Sequence, residues 1–241
     1  MADFVELWVY LATTPLFGLT ATLVVYLLAQ AFYARTGNAA WANPVLWSVV
    51  ALAMLLTGTG VSYPSFFSGA QFIHFLLGPA VVALAWPLWQ RRTELRARGL
   101  RVLLAALLGG GAASASAVGL AWLLGLPHEV VLSMAPKSVT APVAMGIADK
   151  IGGVPALSAV FAVLTGMVGA MSGKYLFDLL RVPAAGRGWA ARGFALGTAS
   201  HGIGAARALQ VNADAGAYAG LALGVQVVLA ALLMPLAFGL R

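Results

Sequence analysis

The chain has 241 residues, of which 61% are hydrophobic and only 9% charged, with a net charge of +7 and no cysteine. Its mean hydropathy is +0.92, far from the roughly one-quarter charged residues of a soluble domain. This composition excludes a water-soluble globule and thiol, disulfide or thiolate-metal chemistry. It points to an all-α polytopic membrane protein.

Eight hydrophobic segments follow in chain order, at about 5–33, 44–60, 70–89, 102–126, 130–148, 154–178, 193–209 and 215–240. Runs of about 20 apolar residues span a bilayer. The first is preceded by Asp3 and Glu6 and by no lysine or arginine, so it lacks the basic start of a cleaved signal peptide and is expected to stay in the mature protein. No composition shift or linker divides the chain, and residues 1–241 read as one integral membrane domain. The arginines lie between apolar runs rather than among interleaved aromatics, which marks membrane topology and not nucleic-acid binding.

The third segment holds "HFLLGPAVVALAWP", with His74 one turn ahead of Gly78 and Pro79. Pro79 and Pro87 each remove a helical amide donor, so this segment is a secondary candidate for a break. It is followed by "QRRTELRARGLR", Gln90 to Arg101, with five arginines against one glutamate, a stretch that the positive-inside rule places in the cytoplasm. The fourth segment carries "GGGAASAS", Gly109 to Ser116, a small-residue face of the kind that lets helices pack closely in lipid.

The fifth segment contains "SMAPKSVTAPVAMG". Two prolines would free the carbonyls of Leu132 and Ser138, and unpaired backbone in hydrocarbon survives only where protein or a watery cavity satisfies it. Lys137 adds a charge costing roughly 2.5–3.5 kcal/mol or more at mid-bilayer. It is expected to face an interior partner. The sixth segment has Gly166, Gly169, Ala170 and Gly173 at three- and four-residue spacing, another close-packing face.

A second basic stretch, "RVPAAGRGWAAR" from Arg181 to Arg192, also calls for the cytoplasm. Three full crossings between the two basic stretches would place it outside. One element between them therefore does not cross simply, with the fifth segment and a fold-back of the sixth at Gly166 to Gly173 as the candidates. The seventh segment holds "GTASHGIGAARA", Gly197 to Ala208. As one helix it would bring Ser200, Gly204 and Arg207 to a common face, with His201 about 100° away, while its glycines would let the chain unwind.

Interrupted segments in one bundle are the pattern of transporters whose half-helix ends meet near the midplane. No acid lies inside a segment: Asp149, Asp178 and Asp214 fall at ends, whereas Lys137 and Arg207 lie within. Exposed helix N-termini add positive potential. The expected guest is a small carboxylate. Lys137 would be its counter-charge and Ser138, Thr140, Thr198 and Ser200 its hydrogen-bond partners, with Pro142 shaping the break and His201 or His74 available for proton coupling. The three histidines are isolated, the glycine triplet lacks the lysine of a phosphate loop, and Ser200 beside His201 is no catalytic pair. Neither an enzyme nor a metal or other cofactor is expected.

Taken together, "FLLGPAVVALAWPLW" at 75–89, "PKSVTAPVA" at 136–144, "GGVPALSAVFAVLTGMVGA" at 152–170 and "GTASHGIGAARA" at 197–208 resemble the LrgB/CidB family of bacterial membrane proteins, which includes the plastid glycolate/glycerate translocator. The resemblance covers roughly Tyr63 to Phe238 and rests at the site on Lys137, Ser138, Thr140, Pro142, Thr198, Ser200, His201 and Arg207. Lys174 departs from it, as a charge where an apolar or small residue is expected. The resemblance implies residence in the bacterial inner (cytoplasmic) membrane and two kinds of activity. One is carriage of small monocarboxylates such as glycolate, glycerate or pyruvate. The other is antiholin- or holin-like regulation of murein hydrolases and lysis by membrane assembly, beside a small LrgA/CidA-type partner. A homo-oligomer is expected, and no nucleic acid.

Overall fold

A computed structural model of the chain describes residues 15–76, 79, 82, 85–90 and 92–238. Those residues form helices and connections, with no strand among them, and fall into two compact units that divide after Val82.

In the first unit, α1 (Pro15–Arg35) is followed by a single 3-10 turn at Ala40–Ala42, α2 (Pro44–Thr59) and α3 (Tyr63–Phe75). Asn43 starts α2 by accepting from Val45 N at 2.9 Å and Leu46 N at 3.3 Å, with Pro44 behind it. That pairing satisfies orphan amides of the first turn. Gly60, at φ 69°, ends α2 in the left-handed conformation that glycine adopts without strain. α1 crosses α3 at Gly18, where a β-carbon would collide with the Phe66 carbonyl.

The second unit contains α4 (Ala85–Gln90), α5 (Arg92–Leu123), α6 (His128–Met134), α7 (Ala141–Ile151), α8 (Pro155–Leu179), α9 (Arg187–Val211) and α10 (Ala213–Phe238). The basic stretch after the third segment is helical from Arg92 onward and extends α5 beyond its apolar part. Among the described residues, four helices are long and apolar enough to cross a membrane: Leu16–Arg35, Gly99–Leu123, Pro155–Leu179 and Ala213–Phe238. Leu108, Trp122, Val168 and Leu232 stand outward on these helices, each more than 60% exposed, as side chains do when lipid is the solvent. The chain is an integral membrane protein.

Eight such helices are not found among the described residues. The second segment gives only the 16 residues of α2, and the third lies partly outside the described residues. The fifth and seventh fold back on themselves, with arms too short to reach across. In the fifth, α6 has seven residues and α7 eleven. The end of α7 returns to the end of α6: Val154 N donates to Ser133 Oγ at 2.7 Å, and a β-carbon on Gly153 would sit 2.9 Å from Ser133 N. α6, the turn 135–140 and α7 thus form a hairpin whose two ends lie on one side.

α9 is the second hairpin. Its helical geometry fails at His201, at φ 42° and ψ −133°, and the arms 187–200 and 202–211 lie side by side. A β-carbon on Gly204 would meet the Leu196 carbonyl oxygen at 2.6 Å. Eight residues apart in a straight helix, those groups would be separated by about 12 Å. Lower down, Trp189 and Leu196 of the first arm pack with Ala205 and Ala208 of the second and with Ala215 and Ala219 of α10.

These hairpins resolve the charge conflict. α5 crosses, the α6–α7 hairpin returns to the side it came from, and α8 crosses back. Both arginine-rich stretches therefore lie on one side, as the positive-inside rule requires. The fifth segment supplies the fold-back and the sixth runs straight as α8. The α9 hairpin enters from the basic side and the α6–α7 hairpin from the opposite one.

Candidate functional site

The tip of the α6–α7 hairpin is a run of tight turns, with Ala135 N bonded to Leu132 O at 3.1 Å, Lys137 N to Met134 O at 3.2 Å and Val139 N to Pro136 O at 3.1 Å. The carbonyl of Leu132, expected to be freed by Pro136, is therefore used. The chain has left helical geometry before Pro136, and Pro142 sits in the first turn of α7, where a missing amide costs no intrahelical bond. Pro136, Ser138 and Val139 are buried, whereas Lys137 and Thr140 are half-buried. Lys137 Nζ donates to Ser138 Oγ at 3.4 Å. Among the described residues no carboxylate lies within ion-pair distance of it.

The tip of the second hairpin is His201. Its ring Nε2 lies 2.7 Å from the carbonyl oxygen of Ala162 on α8. A carbonyl only accepts, so Nε2 carries the proton and Nδ1 is left as an acceptor. The glycine face of α8 exists for this arm. β-carbons at Gly166, Gly169 and Gly173 would run into His201, Ser200 and Leu196 respectively. Ser200, Thr198 and His201 are buried to 5% exposure or less.

The two tips meet. Thr140 Cγ2 lies 3.9 Å from where a β-carbon on Gly202 would stand. α7 begins at Ala141 and the second arm of α9 begins after His201, so two helix N-termini converge on one place. Their first-turn amides and dipoles attract negative charge. Thr140 Oγ1 and Thr198 Oγ1 are buried with no hydrogen-bond partner, which in a dry interior is a cost that a polar guest would remove. Gly166, beside His201, is the twelfth of the 25 residues of α8, so the junction lies about halfway along a helix ~37 Å long.

Gln226 belongs to the same level and was not picked out from the sequence. It sits in the middle of α10, 5% exposed, against Gly110 of α5, with Oε1 unpartnered. It is the lone side-chain amide in the segment 215–240, and an isolated polar group in an apolar span is the signal that could have found it. Thr198 approaches the neighbouring Gly109, whose β-carbon would lie 3.3 Å from Thr198 Cγ2.

Not every expected residue joins this junction. Because α9 folds back, Ser200, Gly204 and Arg207 do not share a face of one helix. Gly204 lies against Ser200 Cβ, but Arg207 is six residues down the second arm, in a separate cavity with Lys174. His74 and Pro79 belong to the first unit and are exposed, the ring of His74 standing 5.6 Å edge-on from Phe67. Gly78 lies outside the described residues.

The sequence model of the LrgB-like family matches residues 22–240. The chain belongs to the LrgB-like family. It is 36% identical over 167 residues to the protein named uncharacterized protein YxaC of Bacillus subtilis (strain 168), covering 69% of this chain and 71% of that one. Identity to YwbG of the same organism, also named uncharacterized, is 32% over 216 residues, 90% of this chain and 92% of that one. The protein named holin-like protein CidB of Staphylococcus aureus (strain Mu50 / ATCC 700699) is 27% identical over 215 residues, 89% of this chain and 91% of that one. No solved structure matches.

Proposed function

We propose that this LrgB-family protein carries small monocarboxylates of the glycolate, glycerate or pyruvate class across the bacterial inner membrane. The observation that supports this reading is the meeting of two oppositely inserted hairpin tips halfway along α8, which joins Lys137, two helix N-termini and buried unpartnered hydroxyls with no acid. The carboxylate would lie between Lys137 and the first-turn amides, with Thr140, Ser138, Thr198 and Ser200 as its hydroxyl partners. Lipid-facing assembly alone gives no reason to hold an ammonium and split backbone at that depth. Purified protein in liposomes, with its small membrane partner supplied, is expected to move labelled glycolate or pyruvate, and Lys137→Ala to abolish the flux while the protein still folds. Failure of the wild type on a broad panel of such acids would overturn the reading.

A second reading takes its support from the words holin-like in the name of the CidB relatives; under it we propose a holin-like or antiholin-like regulator of murein hydrolase activity and lysis, acting by assembly in the membrane. One face is suited to it. The glycines of α8 are taken up by α9, but β-carbons on Gly111 and Gly119 of α5 would meet nothing within 4 Å, and Ala115 between them is exposed. Small residues at four-residue spacing let helices associate in lipid. On this reading Gly111→Leu changes oligomer size and lysis phenotype while Lys137→Ala is mild. Normal oligomers and lysis in Gly111→Leu would count against it.

A further inference from the structure

The junction of the two tips is closed. Thr140 Oγ1 and Thr198 Oγ1 are sealed from solvent as well as unpartnered, and Ser138, Ser200 and His201 are each less than 5% exposed. A close-packed interior has no spare room, so a polar guest reaches these groups only if one wall gives way.

The α6–α7 hairpin is not that wall. Val154 N holds its end at Ser133 Oγ, and Ser158 Oγ of α8 donates to the Ala144 carbonyl at 3.3 Å. Leu132, Val139 and Ile147 pack with Ala162 of α8 and Ala230 of α10 in one buried cluster. Moving this hairpin would open that core.

The α9 hairpin is fixed in its lower part and thinly held at its tip. Arg192 Nη2 donates to Asp178 Oδ1 at 2.7 Å and to the Val182 carbonyl at 2.6 Å, which holds the base. Gly193 and Gly197 seat the first arm on the carbonyls of Ala215 and Ala219, leaving no room for a β-carbon, and Gly204 seats the second arm on Leu196 of the first. Between these points, residues 198–203 contain one large apolar side chain, Ile203, whose Cδ1 would lie 2.9 Å from a β-carbon on Gly166. Among the described residues, the single side-chain hydrogen bond of this stretch runs from His201 Nε2 to the Ala162 carbonyl. Against that bond stands the backbone of His201, at φ 42° and ψ −133°, a conformation that L-residues avoid. Local opening begins where apolar contacts are few.

We propose that residues 198–203 form a lid over the junction, latched to α8 by the bond between His201 and Ala162 and hinged between Gly197 and Gly204. The lid follows from the sealed hydroxyls and the fixed base, and it rests on the carrier reading only for the identity of the guest, a small carboxylate. Opening breaks the latch but relieves the His201 backbone, so the open and closed states lie close in energy. A guest that pairs the buried hydroxyls with the lid shut then favours the closed state, because it binds that state better.

Amide hydrogen exchange of the full chain in nanodiscs, read by mass spectrometry, tests the lid without a label. Amides of residues 198–203 are expected to exchange at least about tenfold faster than those of the facing stretch 166–173. His201→Ala should speed them by a further factor of about five, the worth of one ordinary hydrogen bond. Asp178→Asn loosens the base and is expected to leave the tip as in the wild type, which distinguishes loss of a latch from general destabilisation. Should His201→Ala fail to fold, Gly166→Ala, which crowds the ring, is expected to give the same rise. Saturating glycolate or pyruvate should slow exchange at 198–203. Tip amides as slow as those of α8, or a tip that is unchanged by the His201 or Gly166 variant or responds as strongly to Asp178→Asn, overturn the lid. A tip that opens and answers to His201 yet ignores every acid of a broad panel supports the lid and counts against the carrier reading alone.

Discussion

The Nε2–H of His201 reaches 2.7 Å to the carbonyl oxygen of Ala162, and this bond fastens the tip of the α9 hairpin to the middle of α8. His201 holds a backbone conformation, φ 42° and ψ −133°, that L-residues avoid at a cost on the order of 1–3 kcal/mol. The bond and the tight seating on Gly166 oppose that strain. His201→Ala keeps the unfavourable backbone and loses the bond, so it should destabilise by about 2–3 kcal/mol. His201→Gly relaxes the backbone and should retain about 1 kcal/mol more than the alanine variant. Thermal unfolding of both variants in detergent checks the order, and an alanine variant as stable as glycine would show that the backbone at the tip is not strained.

The α8 glycines make a sharper contrast. Gly166→Ala places a methyl 2.8 Å from the His201 ring, and Gly169→Ala drives one into Ser200 Oγ. Both should lower stability by about 1–3 kcal/mol, the cost of overpacking, and open the tip. Gly146 in α7 has nothing within 4 Å of a β-carbon, so Gly146→Ala should be neutral or stabilise by up to about 1 kcal/mol through helix propensity. The three variants compared in one unfolding assay make the check.

Membrane sidedness tests the hairpins directly, because the natural chain has no cysteine to remove. Single cysteines at Ala97 and Ala185 should react with a membrane-impermeant maleimide from one side, and cysteines at Glu129 and Asp149 both from the other. If Asp149→Cys were labelled together with Ala97→Cys, α6 and α7 would cross the membrane and the fold-back reading would fail.

The breaks themselves were legible because only a few residues speak against a continuous helix in oil: Pro136, Lys137 and Pro142 in one segment, Gly202 and Gly204 in the other. The conflict between the two arginine stretches makes one fold-back necessary on the positive-inside rule alone. The size of the second reversal was not legible. Glycines marked the region, yet the residue that turns the chain is His201, held there by a carbonyl 39 positions earlier. The same reversal carried Arg207 away from Ser200, since a face computed for one helix has no meaning across two antiparallel arms. The glycine pattern of α8 and the outward glycines of α5 look alike in sequence. Only packing shows that Gly169 is covered by Ser200 while Gly111 is open.

The ion pair between Arg192 and Asp178 holds the first arm of α9 to the end of α8. Arg192 is 10% exposed and Asp178 51%, so water screens the acid and the pair is worth less than a buried one. Asp178→Asn should cost about 1–2 kcal/mol by leaving a buried guanidinium with only the Val182 carbonyl. Arg192→Met, which removes the buried charge while keeping an apolar stem against Phe177 and Trp189, should cost less. Equal losses in denaturation of the two variants would mean that the pair, rather than the stranded charge, sets the energy.

Gln226 separates a working polar group from a tolerated one. Its Oε1 has no partner and its side chain presses on Gly110, so on packing grounds Gln226→Leu should raise stability by about 1 kcal/mol or leave it unchanged, since an unsatisfied buried amide is removed. If the amide faces the solute or its path at mid-depth, the same substitution should cut carboxylate flux about tenfold or more, the usual cost of leaving a polar guest without its hydrogen bond. Unfolding and flux measured on one preparation give opposite signs in that case. A stabilised variant with unaltered flux would assign Gln226 to the packing of α5 on α10 and confine the solute site to the two hairpin tips.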